Sequence, residues 1–228
     1  MVQLNLQMLS TEGDNNMEMD WKGNMAELGG AFMLSWVVLG MGGSGVGTLI
    51  GAATLAVAWM AFSGAHLLPV VTWCHMMTGD MSDTEGNWMA NGMRLVFQAL
   101  GALVAVLLMT EAGSLDTPTF VAPEMWVADM GSMMWPVITM MAVGAVWWQI
   151  HTRCDSEWVS ALGLMALSGV GIHLDGGHMM GSMLADGGTQ VADVVVDWIM
   201  NGLVVGLGAL LGMKIDEMIP DGDDTSAE

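Results

Sequence analysis

Apolar residues in this chain fall into long runs, with polar and acidic residues gathered between the runs and at the two ends. Crossing a bilayer takes about 17 to 25 mostly apolar residues. Six runs approach that length: about Met25 to Met41, Val46 to Phe62, Trp88 to Met109, Gly131 to Ile150, Trp158 to His173 and Val191 to Met213. Two shorter pieces, Leu68 to Met77 and Met179 to Ala185, cannot cross. They directly follow the second and fifth runs, where a re-entrant half-helix would sit. The pattern predicts an all-α integral membrane protein with six transmembrane helices and two re-entrant half-helices.

Composition agrees. Hydrophobic residues make up 54% of the 228 and charged residues only 12%, with a mean hydropathy of +0.54. That is too apolar for an ordinary soluble domain. The net charge of -20 disfavours nucleic acid, and most of the acids belong to solvated segments outside the apolar runs. They crowd the tail 1–21, the connecting loop 111–130 and the tail 215–228, which flank two three-span halves, 22–110 and 131–214. An acidic, lysine-poor exterior suits a salty medium. Cys74 and Cys154 are isolated, so no disulfide framework or paired-cysteine metal site is expected. The acidic N-terminal segment lacks the basic start of a signal peptide, so the first run is expected to remain in the mature protein. Lys22, Arg94, Arg153 and Lys214, the four basic residues, all fall on one side of a six-span serpentine. The positive-inside rule then places both termini in the cytoplasm.

Glycines repeat every four residues at Gly43, Gly47 and Gly51, at Gly202 and Gly206, and at Gly208 and Gly212. Small residues at that spacing let helix backbones approach closely in lipid. Trp21, Trp73, Trp88, Trp126 and Trp158 stand where interfacial anchors would. The two broken segments also resemble each other. "SGAHLLPVVT" from Ser63 and "DGGHMMGSML" from Asp175 align Gly64 with Gly176 and His66 with His178, each followed by an apolar pair. Each follows the second span of a set of three, and because three is odd the second half must run upside down. Inverted repeats of this kind bring their broken segments together near the bilayer midplane.

These residues resemble the major intrinsic proteins, the family of aquaporins and glycerol facilitators. Ser63, Gly64, Ala65, His66, Leu67, Pro69, Val71, Thr72, Thr78 and Gly79 match its first re-entrant segment, Ala26, Glu27, Gly30 and Phe32 its first span, and Gln98 and Gly101 its third. The resemblance implies an aquaporin-like fold with pore or re-entrant positions His66, Leu68, Pro69, Val70, His178, Met180, Gly181 and Ser182. It implies a selectivity filter at Thr48, Ser168 and Met183, a brace at Glu27 and a homotetramer. The departures are specific. Leu68 and Met180 replace the asparagines of the two Asn-Pro-Ala motifs, and Met183 replaces the filter arginine. Leu and Met at a constriction remove the donors that offset dehydration of a passing molecule, and narrow apolar constrictions dewet.

Several readings therefore compete. His66 and His178 either line a path or satisfy backbone groups where the chain unwinds. "CHMM" from Cys74 and "GHMM" from Gly177 offer soft ligands for Cu(I), but in a chain with 27 Met adjacent pairs carry little weight. No phosphate loop, zinc-protease motif or activated nucleophile points to an enzyme, and no cofactor or metal is expected. The expected function is passive passage of a small uncharged solute, with water a doubtful main substrate. The alternatives are a non-conducting scaffold or subunit with a membrane-protein partner, and remotely a Met/His-lined metal pathway. Beyond these the lipid bilayer is the expected partner.

Overall fold

The computed structural model describes residues 20–40, 47–113, 130–168, 178–187 and 191–219, all helices and short connections. The first 19 residues, most of the connecting loop, the segment Asp175–Gly177, the side chain of His178 and the end of the C-terminal tail lie outside the described residues. The helices are α1 (Trp21–Gly40), α2 (Leu49–Ala61), α3 (Pro69–Thr78), α4 (Ala90–Glu111), α5 (Met130–Arg153), α6 (Glu157–Ser168), α7 (His178–Ala185) and α8 (Val191–Met218). A π-helical turn, Thr84–Met89, leads into α4.

Local chemistry sets several of these limits. Thr48 caps α2 by accepting from the Gly51 N–H at 3.1 Å. Pro69 opens α3, its fixed φ suited to a first turn and its missing N–H one that no helix bond needs. At the other end of α3 the Asn87 amide donates to the carbonyls of Met76 and Asp80. One of the carbonyls left over when the helix stops, that of Met76, is thereby satisfied. In the same exposed loop the Ser82 hydroxyl and N–H both donate to Asp80, holding its carboxyl below the usual range.

Packing between the helices has an internal regularity. α1 lies along α4 and α5 along α8; α3 rests on α8 and α7 on α4; α2 neighbours α1, and α6 neighbours α5. Replacing each of α1–α4 by its counterpart in α5–α8 turns every one of these pairs into another of them, and α2 against α6 into itself. Glycines set the closest approaches. A Cβ at Gly101 would come within 2.2 Å of the Leu28 carbonyl oxygen, and one at Gly144 within 2.0 Å of that of Val205. Gly206 lets α8 close on the Trp73 backbone of α3, and Gly181 lets α7 close on Ala102 and Leu103 of α4.

One large apolar cluster fills the middle. It draws Leu34 from α1, Leu55 from α2, Val71 from α3, Trp147 from α5, Leu164 from α6 and Val205 from α8, together with Leu67 and Leu68 ahead of α3. Apolar side chains also cover outward surface: Val96, Leu100, Val104 and Leu107 on one side of α4 are each at least 39% exposed, a large apolar stripe for a water-facing surface. Two helical stretches, Thr84–Glu111 and Trp198–Met218, are long and apolar enough to cross a membrane. α2, at 13 residues, rises only about 20 Å, short of a hydrocarbon core of about 30 Å. The described part of α6 is shorter still.

The close approaches predict opposite outcomes for two alanine substitutions in α4. Gly101→Ala should cost about 1–3 kcal/mol because backbone stands in the way, whereas Gly92→Ala, with nothing within 4 Å, should be neutral or slightly stabilising. Thermal unfolding of both variants in mild detergent checks this.

Candidate functional site

The chain between α2 and α3, residues 62–68, crosses the interior without regular structure, so its backbone polar groups need partners. Gly64 turns it with φ +84, and Leu67 is also left-handed at φ +65, a conformation that strains a leucine. What holds it is Glu27 of α1, which is fully buried. One carboxylate oxygen accepts the His66 N–H at 2.6 Å and Arg94 Nη1 at 2.9 Å. The other accepts the Leu67 N–H at 2.7 Å and Gln98 Nε2 at 2.9 Å. The buried negative charge is thus met by a guanidinium and three further donors. Arg94 also donates to the Gly64 carbonyl at 2.7 Å, gripping the same segment from α4.

A second layer fixes His66. Trp59 Nε1 donates to its carbonyl at 3.1 Å, and its Nδ1 lies 3.2 Å from Thr72 Oγ1. That hydroxyl donates to the Leu68 carbonyl and accepts from Gln98 Nε2 at 3.0 Å. The ring is thereby held at Nδ1, while Nε2 makes no hydrogen bond among the described residues. Gln98 Oε1 is left without a partner, but the flipped amide would set that oxygen against the Glu27 carboxylate.

A cavity of about 290 Å³ opens beside this segment. His66, His75 of α3 and His151 of α5 line it, with Asp155, Glu157 and Ser160 from the α5–α6 connection and the start of α6. The His66 and His75 rings stack at 4.1 Å between centroids, 4° from parallel. His151 stands nearly perpendicular to His75 at 5.9 Å, stacks on Trp147 and shares a 3.0 Å Nδ1 contact with Ser160 Oγ. Among the described residues no group of three or more His, Cys, Asp or Glu is arranged to hold a metal. The lone pairs of parallel stacked imidazoles lie in two separate parallel planes, which share no point where one ion could sit in both.

The other positions singled out in the sequence are dispersed. Leu68, only 1% exposed, packs with Val70 in the central cluster. Pro69 is buried beside it. Met180 and Met183, 6% and 1% exposed, pack with Ala99, Val195 and Trp198 in a separate cluster against α4 and α8. Gly181 meets α4, and Ser182 is half-buried. Ser168 lies against Gly47, next to Thr48: a Cβ at Gly47 would sit 2.6 Å from its Oγ. The structure therefore sets Ser168 against Gly47, the chain neighbour of Thr48, and packs Met183 into other surroundings. His178 contributes its backbone to the start of α7.

Sequence reasoning missed the grouping of His75 and His151 with His66, and it used Arg94 only as a marker of orientation. A signal was present, since the chain has just 5 His and three of them meet at this cavity. No family model matches the chain, and no curated protein matches it at a significant level. What the site does is therefore read from its own geometry.

Removing the charge at the brace should unfold the segment it holds. Glu27→Gln leaves Arg94 unpaired and offers an amide N–H to donors already present, at an expected cost of about 3–5 kcal/mol. Glu217→Gln breaks an exposed pair with Lys214 and should cost less than about 1 kcal/mol. Chemical unfolding of the two variants side by side measures the difference.

Proposed function

We propose that this chain is a multi-pass membrane protein of aquaporin-like architecture, with both termini cytoplasmic, six spans, and α3 and α7 as re-entrant half-helices. Its function is a passive channel for a small uncharged solute larger or less polar than water. The exchange of packing partners between α1–α4 and α5–α8 carries this reading. An inverted repeat produces such an exchange, and it sets two short helices against long ones at equivalent places. The buried brace from Glu27 to the segment before α3 supports it, because unwound backbone at membrane depth needs partners of this kind. The His-lined cavity is then the cytoplasmic vestibule, at the end of the bundle that holds Arg94 and Arg153. A homotetramer in the bilayer is the matching assembly.

The solute preference follows from the centre. Leu68 stands at the N-cap of α3 with no side-chain hydrogen bond, and side chains from five other helices join it in one apolar cluster. Leucine there offers nothing to a water molecule losing its shell. The burial of Leu68, Met180 and Met183 favours a second reading, a scaffold that keeps the fold and passes nothing. Its counterpart would be another membrane protein.

Stopped-flow light scattering on sealed proteoliposomes separates the two. The native chain should shrink no faster than empty liposomes under an impermeant osmotic step, yet admit glycerol or urea at least about threefold faster. Entry of every solute at the lipid baseline would leave the scaffold. Leu68→Asn with Met180→Asn and Met183→Arg should raise water efflux if a path lies behind these residues, and leave it unchanged if none does.

A further inference from the structure

Three imidazoles sharing one cavity, two of them in face-to-face contact, have a consequence that solute passage does not require. His66 is fixed on every side but one: Glu27 holds its N–H, Trp59 its carbonyl and Thr72 its Nδ1. Its Nε2 makes no hydrogen bond among the described residues. The His75 ring, stacked on it at 4.1 Å, makes no hydrogen bond among the described residues and meets Trp148 edge-on at 4.9 Å. Its position rests on ring packing alone. His151 completes the array from α5, backed by Trp147 and tied to Ser160.

We propose that His66, His75 and His151 form a proton-operated latch between α3 and α5, closed when the rings are neutral and opened by protons arriving through the cavity. Neutral imidazoles stack stably. Two imidazolium rings at that separation repel, and the Arg94 guanidinium on the Gly64 carbonyl adds positive charge. His66 cannot retreat, so His75 must, and α3 with it. The charges facing the array are few. Glu27 from α1 is already committed to Arg94 from α4, while Asp155 and Glu157, both exposed, line the same cavity and are the acids that charged His151 and His75 would meet there. α2 contributes Trp59 and no charge to this wall, and Asp216 of α8 is paired with Arg153. The inference concerns a motion of α3, and it stands whether or not a solute follows.

Amide hydrogen exchange of the full chain in lipid nanodiscs tests it, with rates corrected for the intrinsic effect of pH. Between about pH 7.5 and about pH 5, α3 should lose protection by roughly tenfold, while the segment held by Glu27, α1 and α4 keep theirs. His75→Phe, which keeps a ring in the stack without a titrating nitrogen, should abolish the change, and His75→Gln should do the same if the phenyl ring does not fit. PH-independent protection of α3 in the native chain would overturn the proposal. So would a loss spread equally over α1 and α4, or one that persists in a folded His75 variant.

Discussion

A carboxylate buried in the first helix is the constraint on which the rest of the structure depends. Charge in an apolar interior is costly unless every acceptor site is filled, and Glu27 is filled by two backbone N–H groups, an amide and a guanidinium. Those four donors come from the segment before α3 and from α4, so one residue of α1 ties three parts of the chain that are distant in sequence. The left-handed leucine at position 67 is tolerable because its N–H is held on one side and its side chain is packed in the core on the other. Once that segment is pinned, the start of α3 is fixed. The positions of Leu68, Thr72 and His75 then follow from the turn of a helix.

Glycine does the complementary work between helices. Close contact of α1 with α4 and of α5 with α8 requires backbone to touch backbone, and Gly101, Gly144 and Gly208 supply the room. In water such contacts would be driven partly by the hydrophobic effect. Between helices in lipid, van der Waals contact and interhelical hydrogen bonds must suffice, so small residues matter more. In the bilayer proposed for this chain, the apolar stripe on α4 and the close-packed glycine seams would be two aspects of one setting.

Helix positions were largely legible in the sequence. The short apolar piece placed at Leu68 to Met77 is the helix Pro69–Thr78, and the run placed at Gly131 to Ile150 is Met130–Arg153. Long apolar runs and a well-placed proline are local signals, and they survive folding. The described helix of the run placed at Trp158 to His173 ends at Ser168. The cavity was not legible. His66 and His151 are far apart in the chain, and nothing in the surroundings of either reports the other. His75 was read only as part of a Met-rich tetrapeptide. Met183, grouped in the sequence reading with Thr48 and Ser168, packs with Met180 and Ala99, because its place depends on how α7 docks rather than on its own spacing.

The two sets of four helices are alike in packing but not in the charge of their first helices. α5 stands where α1 stands, yet from Met130 to Arg153 it contains no acidic residue. A chain assembled from two copies of the first half would carry that buried carboxylate twice, whereas one assembled from two copies of the second would carry it in neither of these helices. A designed chain of identical halves that keeps the brace would have to be built on the first.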